Sequence, residues 1–265
     1  MLFVDQVEQH AGHDMPAMAT PAAPADETQP PPIPTDHAAE RVYSPAAMAA
    51  ARAQLMKEHG GVKAWTVRLD QLEYRARDGA DGQSVEGEAW WGGDASHWVV
   101  KARGERADHT EKGDGGWERG EAQVLKAWPA GPYFDLQAGV RYDLVRQGGG
   151  RGRSYATVGF EGVAPYWIKL DGAVFLSDRG KVSARGESAY DLRLTQKLVL
   201  QPRVEADLAE AGAGRLEGGL RLRYEITREF APYVGVVRER TFGALTPVGE
   251  RAGSTAFVVG VRAWR

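Results

Sequence analysis

Within nine residues near the amino terminus the chain sets two imidazoles, one carboxylate and two thioethers, in His10-Ala11-Gly12-His13-Asp14-Met15-Pro16-Ala17-Met18. Thioether sulfur is a soft donor that selects Cu(I), while imidazole also accepts Cu(II). The cluster is therefore a candidate for weak or transient copper binding, as Cu(I), Cu(II) or both. Calcium or magnesium would want more carboxylates, and structural zinc rarely uses Met. His37, Met48, Met56 and His59 carry the same donor types further along the chain. The competing reading is a low-complexity tail in which a few His and Met fall together by chance. These residues alone leave both open.

A second set of chemically active residues recurs at every other position of long segments. It comprises Glu86, Glu88, Arg103, Glu105, Arg141, Asp143, Arg185, Glu187, Arg203, Glu205, Arg221, Arg223 and Glu225. In a soluble sandwich they would form the solvated face. In a membrane barrel they must line the lumen, because a lipid-facing Arg costs about 2–4 kcal/mol at the bilayer midplane. Opposite charges on neighbouring strands would hold a narrow interior nearly shut, whereas unpaired acidic members could pass cations. Hydrolytic or phosphoryl-transfer chemistry finds no support: the chain has no GxSxG elbow, no HExxH and no P-loop, so no enzyme is expected.

The elements that must position these residues follow from composition and period. The chain has 265 residues, 33 basic against 36 acidic side chains, a net charge of −3 and no Cys. The absence of Cys excludes disulfide scaffolds and thiolate metal sites, and the lack of a basic excess gives no support for a nucleic-acid partner. Met1-Leu2-Phe3-Val4-Asp5 shows neither the basic start nor the apolar core of a secretory signal, so such a signal is expected to be lacking or already removed. Residues 1–43, rich in Ala, Pro, Asp and Glu, read as a disordered tail. Residues 44–61 read as a short helix and linker, capped by Ser44, opened by Pro45 and stopped at Gly60 or Gly61.

From about residue 62 to 265 the period changes from 3.6 to 2. Phe134, Leu136, Ala138, Val140 and Tyr142 alternate with Asp135, Gln137, Gly139, Arg141 and Asp143, and Leu216–Ile226 repeats the pattern. Twelve strands are expected, with ten as the alternative: 63–75, 83–91, 97–106, 117–128, 133–143, 153–162, 166–176, 181–193, 197–208, 215–227, 232–243 and 255–264. Their length suits a tilted membrane strand of about 9–11 residues better than a soluble strand of five or six. Short connections alternate with longer ones, as in an outer-membrane barrel whose short turns face the periplasm. Trp65, Trp90, Trp91, Trp98, Trp128, Tyr133, Tyr142, Tyr166, Trp167, Tyr190, Tyr233 and Trp264 fall mostly near strand ends, where an interfacial girdle would sit. The fold class expected is all-β, a transmembrane antiparallel barrel in contact with lipid.

Several long blocks carry a resemblance. They are LMKEHGGVKAW at Leu55–Trp65, LDQLEYR at Leu69–Arg75, WWGGD at Trp90–Asp94, YFDLQAGVRYDL at Tyr133–Leu144 and VAPYW at Val163–Trp167. LTQKLVLQPRVEADL at Leu194–Leu208, LEGGLRLRYEITREFAPYVGV at Leu216–Val236 and VVGVRAW at Val258–Trp264 complete the set. In these blocks the chain resembles the CopB family of outer-membrane copper resistance proteins. The resemblance implies a barrel in the outer membrane of a Gram-negative bacterium, with its amino terminus in the periplasm. It implies copper binding, with export or sequestration from the periplasm, alongside a periplasmic multicopper oxidase of the same resistance system. His10, His13, Met15 and Met18 correspond to the family's Met- and His-bearing amino-terminal region, although this tail is sparse in both. A monomer is expected. The alternative function is a narrow general or cation-selective porin without specific copper binding.

Overall fold

The computed structural model describes residues 38–59, 62–77, 81–110, 113–145, 152–209, 213–243 and 253–265. The tail residues His10, His13, Met15, Met18 and His37 lie outside these. The chain divides into two units, residues 1–57 and 58–265. In the first, a 3-10 turn at Ala38–Arg41 precedes helix α1, Pro45–His59. Ser44 caps it as expected: its Oγ accepts from the Ala47 amide at 3.3 Å, satisfying one of the orphan donors at the helix start. No α1 residue is buried.

The second unit is a closed antiparallel barrel. Its strands are β1 Ala64–Arg77, β2 Gly82–Gly93, β3 Ser96–Thr110, β4 Gly113–Pro129, β5 Phe134–Val145 and β6 Arg153–Ala164. They continue as β7 Ile168–Ser177, β8 Val182–Ala189 resumed at Leu192–Arg193, β9 Leu198–Leu208, β10 Gly214–Tyr224, β11 Phe230–Phe242 and β12 Gly253–Trp264. The two pieces of β8 keep one register against β9, with Ala189 opposite Arg203 and Leu192 opposite Leu200, so they are one strand. The interruption faces Pro202, which has no amide hydrogen to give the ladder; Tyr190 N still donates to Pro202 O at 3.1 Å. Twelve strands result. β12 closes the ring on β1 from Arg68 opposite Trp264 to Arg77 opposite Ala256. Beyond the last strand, Arg265 and Val67 exchange two backbone bonds at 2.9 Å.

The barrel is apolar outside and polar inside. Leu136, Val140, Leu220, Leu222 and Tyr224 are exposed, while Arg221 and Arg223 are 2% and 3% exposed, so the two-residue period has the register expected. Among the described residues the buried set contains Gln71, Glu73, Arg75, Glu121, Arg185 and Arg203 beside apolar Val99, Leu125 and Phe175. An exposed apolar wall around buried ions is stable in lipid and not in water.

Four local expectations change. The segment expected as a loop at 107–116 is largely strand, because β3 and β4 extend to Thr110 and from Gly113. Residues 166–167 form a turn instead of opening a strand, with Tyr166 at φ 66° and Trp167 at φ 64°. Left-handed backbone is costly for bulky residues, and the outcome here is two rings held out from the short-turn end, both strongly exposed. Trp90 does not join the girdle but packs against the buried Val99, Leu125 and Ala127. Tyr233 likewise points inward, 5% exposed, and its hydroxyl donates to Glu73 Oε2 at 3.0 Å. Trp65, Trp91, Trp98, Trp128, Tyr133 and Trp264 are exposed as expected.

Candidate functional site: the charged lumen

The thirteen charged residues expected in the interior have side chains no more than 23% exposed, each in an ion pair, and several that the alternation left out join them. The reason for the omission is visible in β1. A bulge between Leu69 and Leu72 shifts its pairing with both β12 and β2. One extra residue lets Arg68, Asp70 and Gln71 crowd one side, where a regular strand would send alternate members outward. Above the bulge the alternation Gln71-Glu73-Arg75 against Leu72-Tyr74-Ala76 is regular, and would have nominated Glu73 and Arg75 had the bulge been placed.

The loop-side half of the lumen is filled. Arg185 grips Glu121 with two nitrogens, at 2.5 and 2.9 Å, and its Nε donates to Asp207 at 2.6 Å. Arg141 pairs with Glu121 and Asp143 at 2.8 Å each, and its guanidinium lies 4.5 Å from the Phe175 ring centroid. Arg215 donates to Glu105 at 2.9 Å and Glu217 at 2.8 Å. Glu217 also accepts from Arg75 at 3.0 Å. Glu73, with no exposed side-chain surface, accepts from Arg75 at 2.8 Å and from Arg221 at 3.1 Å. Two cavities that border these side chains measure about 20 and 10 Å³, room for about one water at most in each.

The half nearer the short turns is hollow. A cavity of about 240 Å³ is lined by residues including Arg68, Asp70, Glu88, Lys101, Glu161 and Asp171. Lys101 Nζ bonds Glu161 at 2.9 Å and Asp171 more closely still. Arg68 reaches Asp70 at 2.7 Å and both Glu88 and Glu161 at 3.4 Å. At the rim Lys169 and Arg223 meet Asp191 at 2.8 and 3.3 Å, and Arg193 holds Glu225 at 2.9 Å.

One layer separates the halves. Glu86, Glu187 and Glu205 each offer an oxygen within 4.8 Å of the others, a geometry able to hold a cation. Carboxylate oxygen suits hard cations, unlike the thioether and imidazole donors that copper prefers. Guanidinium groups already serve this trio: Arg203 Nη2 lies 2.7, 2.6 and 2.9 Å from Glu86, Glu187 and Glu205. Arg103 meets the same three at 2.7, 3.1 and 2.9 Å.

Of the expected copper ligands only Met48, Met56 and His59 are described, all on α1. Met48 and Met56 are eight residues apart, about 12 Å along a helix axis, too far to share one ion. Met56 and His59 are helix neighbours on one face. Beyond the trio, His97 lies 3.5 Å from Asp135 and tilts against Trp90 at 5.4 Å between centroids.

Residues 63–265 match the family described as "Copper resistance protein B precursor (CopB)". A protein of Escherichia coli named copper resistance protein B is 36% identical over 97% of this chain and 90% of its own length. A copper resistance protein B homolog of Pseudomonas syringae pv. tomato is 32% identical over 96% and 86%. Among solved structures, the NanC porin is 12% identical, covers 76% of this chain and 99% of its own, and superposes with a TM-score of 0.49. The KdgM porin is 11% identical over 75% and 98%, with a TM-score of 0.43.

Proposed function

The chain belongs to the copper resistance protein B family of outer-membrane barrels, and from that premise we propose that it handles copper for the periplasm. In this reading the amino-terminal donors His10, His13, Met15 and Met18 capture the metal, with His37, Met56 and His59 as auxiliaries, and the protein assists its export or sequestration. It acts as a monomer beside a periplasmic multicopper oxidase. A few weakly binding donors suit capture and release better than a closed site, which would retain the ion.

The barrel's own part is that of a narrow, cation-preferring path. The observation that carries this is the one-sided lumen: a charged cavity of about 240 Å³ at the short-turn end, ending at a carboxylate trio. Rings of acidic side chains are the usual device for cation preference in a pore. The same observation favours a second reading, a cation-selective porin without specific copper binding, because the carboxylate trio where the cavity ends offers oxygen alone.

Calorimetry on full-length variants decides between them, with Cu(I) under anaerobic conditions and Cu(II) in air. Replacing His10 and His13 by Ala is expected to weaken Cu(II) more than Cu(I), and replacing Met15 and Met18 by Leu to do the reverse. Unchanged affinity after all four replacements overturns the tail as copper site and leaves the porin reading.

A further inference from the structure

We propose that Arg203 sets the charge selectivity of the lumen, as a tethered cation that a diffusing cation must displace from between Glu86, Glu187 and Glu205. The inference rests on the reading of the barrel as a cation path and names the residue that controls it. Three observations converge on this side chain.

The first is how it is held. Arg185, deeper in the filled half, uses all three guanidinium nitrogens, two on Glu121 and one on Asp207. Arg203 makes its three carboxylate contacts through Nη2 alone. Its Nε is buried without a hydrogen-bond partner. A guanidinium fixed through two edges is locked, whereas one pinned at a single nitrogen can swing about that point. The buried Nε also loses nothing in hydrogen bonding if the group moves.

The second is where it stands. Arg203 borders both the large cavity at the short-turn end and the small void beyond it. An ion leaving the cavity towards the loops therefore meets this side chain, and Nη2 occupies the point where the three carboxylates converge. The third is its backbone. Arg203 follows Pro202, opposite the break in β8, so the wall behind it lacks a ladder hydrogen bond that other strand pairs have.

The chemistry is an exchange of cations. The layer holds three carboxyl groups against the guanidinium groups of Arg103 and Arg203, with Arg185 Nε, already bonded to Asp207, a further 3.7 Å from Glu205. A small mono- or divalent cation entering from the cavity takes over the carboxylate contacts while Arg203 turns aside, and Arg203 returns as the ion leaves. An anion gains nothing there, since freeing Arg203 for it exposes three carboxylates. Cu(II) can meet this layer as an oxygen-ligated cation, whereas Cu(I) finds no soft donor in the trio.

Planar-bilayer recording on the full-length protein in a KCl gradient tests this, with heat-modifiable gel migration as the check of folding. Wild type is expected to show a low conductance and a reversal potential of cation sign. Arg203→Gln is expected to raise conductance about threefold or more and to move the reversal potential further towards that of potassium. Glu205→Gln is expected to move it the other way, and Arg203→Lys, which keeps the charge, to fall between wild type and Arg203→Gln. Arg179→Gln, in the exposed β7–β8 turn, is expected to change neither quantity. A folded Arg203→Gln with unchanged conductance and potential overturns the proposal while wild-type cation preference stands. If Arg203→Gln does not fold, an unshifted potential in Glu205→Gln overturns it instead. Anion preference in wild type itself overturns the cation-path reading.

Discussion

The two halves of the lumen are built from the same residue types on the same strands, yet one is solid and the other hollow. On the loop side Glu121 and Arg185 have 1% and 4% of their side-chain surface exposed, and each meets several partners. At the short-turn rim Lys169 and Asp191 keep 45% and 28%. Aromatic rings contribute to the difference. Phe175, 1% exposed, fills the space beside Arg141 and Arg185, whereas the cavity lining is dominated by charged chains and holds no aromatic ring. What separates a close-packed half from a vestibule is therefore not charge content, nor the number of partners of each ion, since Lys101 and Arg68 also meet three carboxylates each, but how much space neighbouring side chains such as Phe175 fill.

That contrast predicts a large difference in stability. Glu121→Ala leaves Arg185 and Arg141 buried without their shared carboxylate, an uncompensated charge that costs about 3–5 kcal/mol. Lys169→Ala, in the exposed rim, is expected to cost under about 1 kcal/mol. Denaturant midpoints of the refolded barrel in detergent measure both. Similar shifts for the two variants would remove the distinction between the halves.

Access sharpens the same comparison with a smaller perturbation. The natural chain has no Cys, so single cysteines report cleanly. Ala189→Cys, which lines the cavity, is expected to react with a small water-soluble thiosulfonate at least tenfold faster than Thr157→Cys, which lines the 10 Å³ void. Equal rates would mean that the loop-side half breathes as freely as the cavity.

The smallest effect is expected at the loop rim, outside both halves. Asp81 accepts from the Tyr74 hydroxyl at 2.6 Å and from the Arg77 amide at 3.1 Å, and these bonds hold its carboxyl below the usual Asp value. A carboxyl lowered by folding gives its contribution above that usual value and loses it as pH falls through the lowered one. The protection factor of the Arg77 amide, the unstructured exchange rate divided by the observed one at the same pH, is expected to fall on acidification below the carboxylate range, and in Asp81→Ala to be low already above it. A protection factor that does not respond to either change would show the contact to be incidental.

Much of this was legible in the chain. Alternation in Phe134–Asp143 and Leu216–Ile226 determined which residues face lipid, because a strand sends successive side chains to opposite faces and lipid tolerates only one of the two sets. The count of twelve followed from the same rule, whereas Arg68, Glu73 and Arg75 joined the interior ion pairs without having been nominated by it. Helix α1 was readable from Ser44 and Pro45 because capping is local. The rule failed where the backbone departs from regular alternation. The bulge in β1 turned Arg68, Asp70 and Gln71 to one side, and Pro202 broke β8 without ending it. Trp90 and Tyr233 instead obeyed the alternation and went inward, against their expected place in the girdle.

An outside, an inside and a family were all written in residue order within single strands or blocks. Tertiary structure alone decided which carboxylate meets which guanidinium. Glu121 and Arg185 are 64 residues apart, Arg203 and Glu86 are 117 apart, and Glu73 and Arg221 are 148 apart. Such pairings are set by the stagger of the closed ring, which places strands across the lumen from one another. No period along a single chain encodes that height, because it depends on every strand between the two partners.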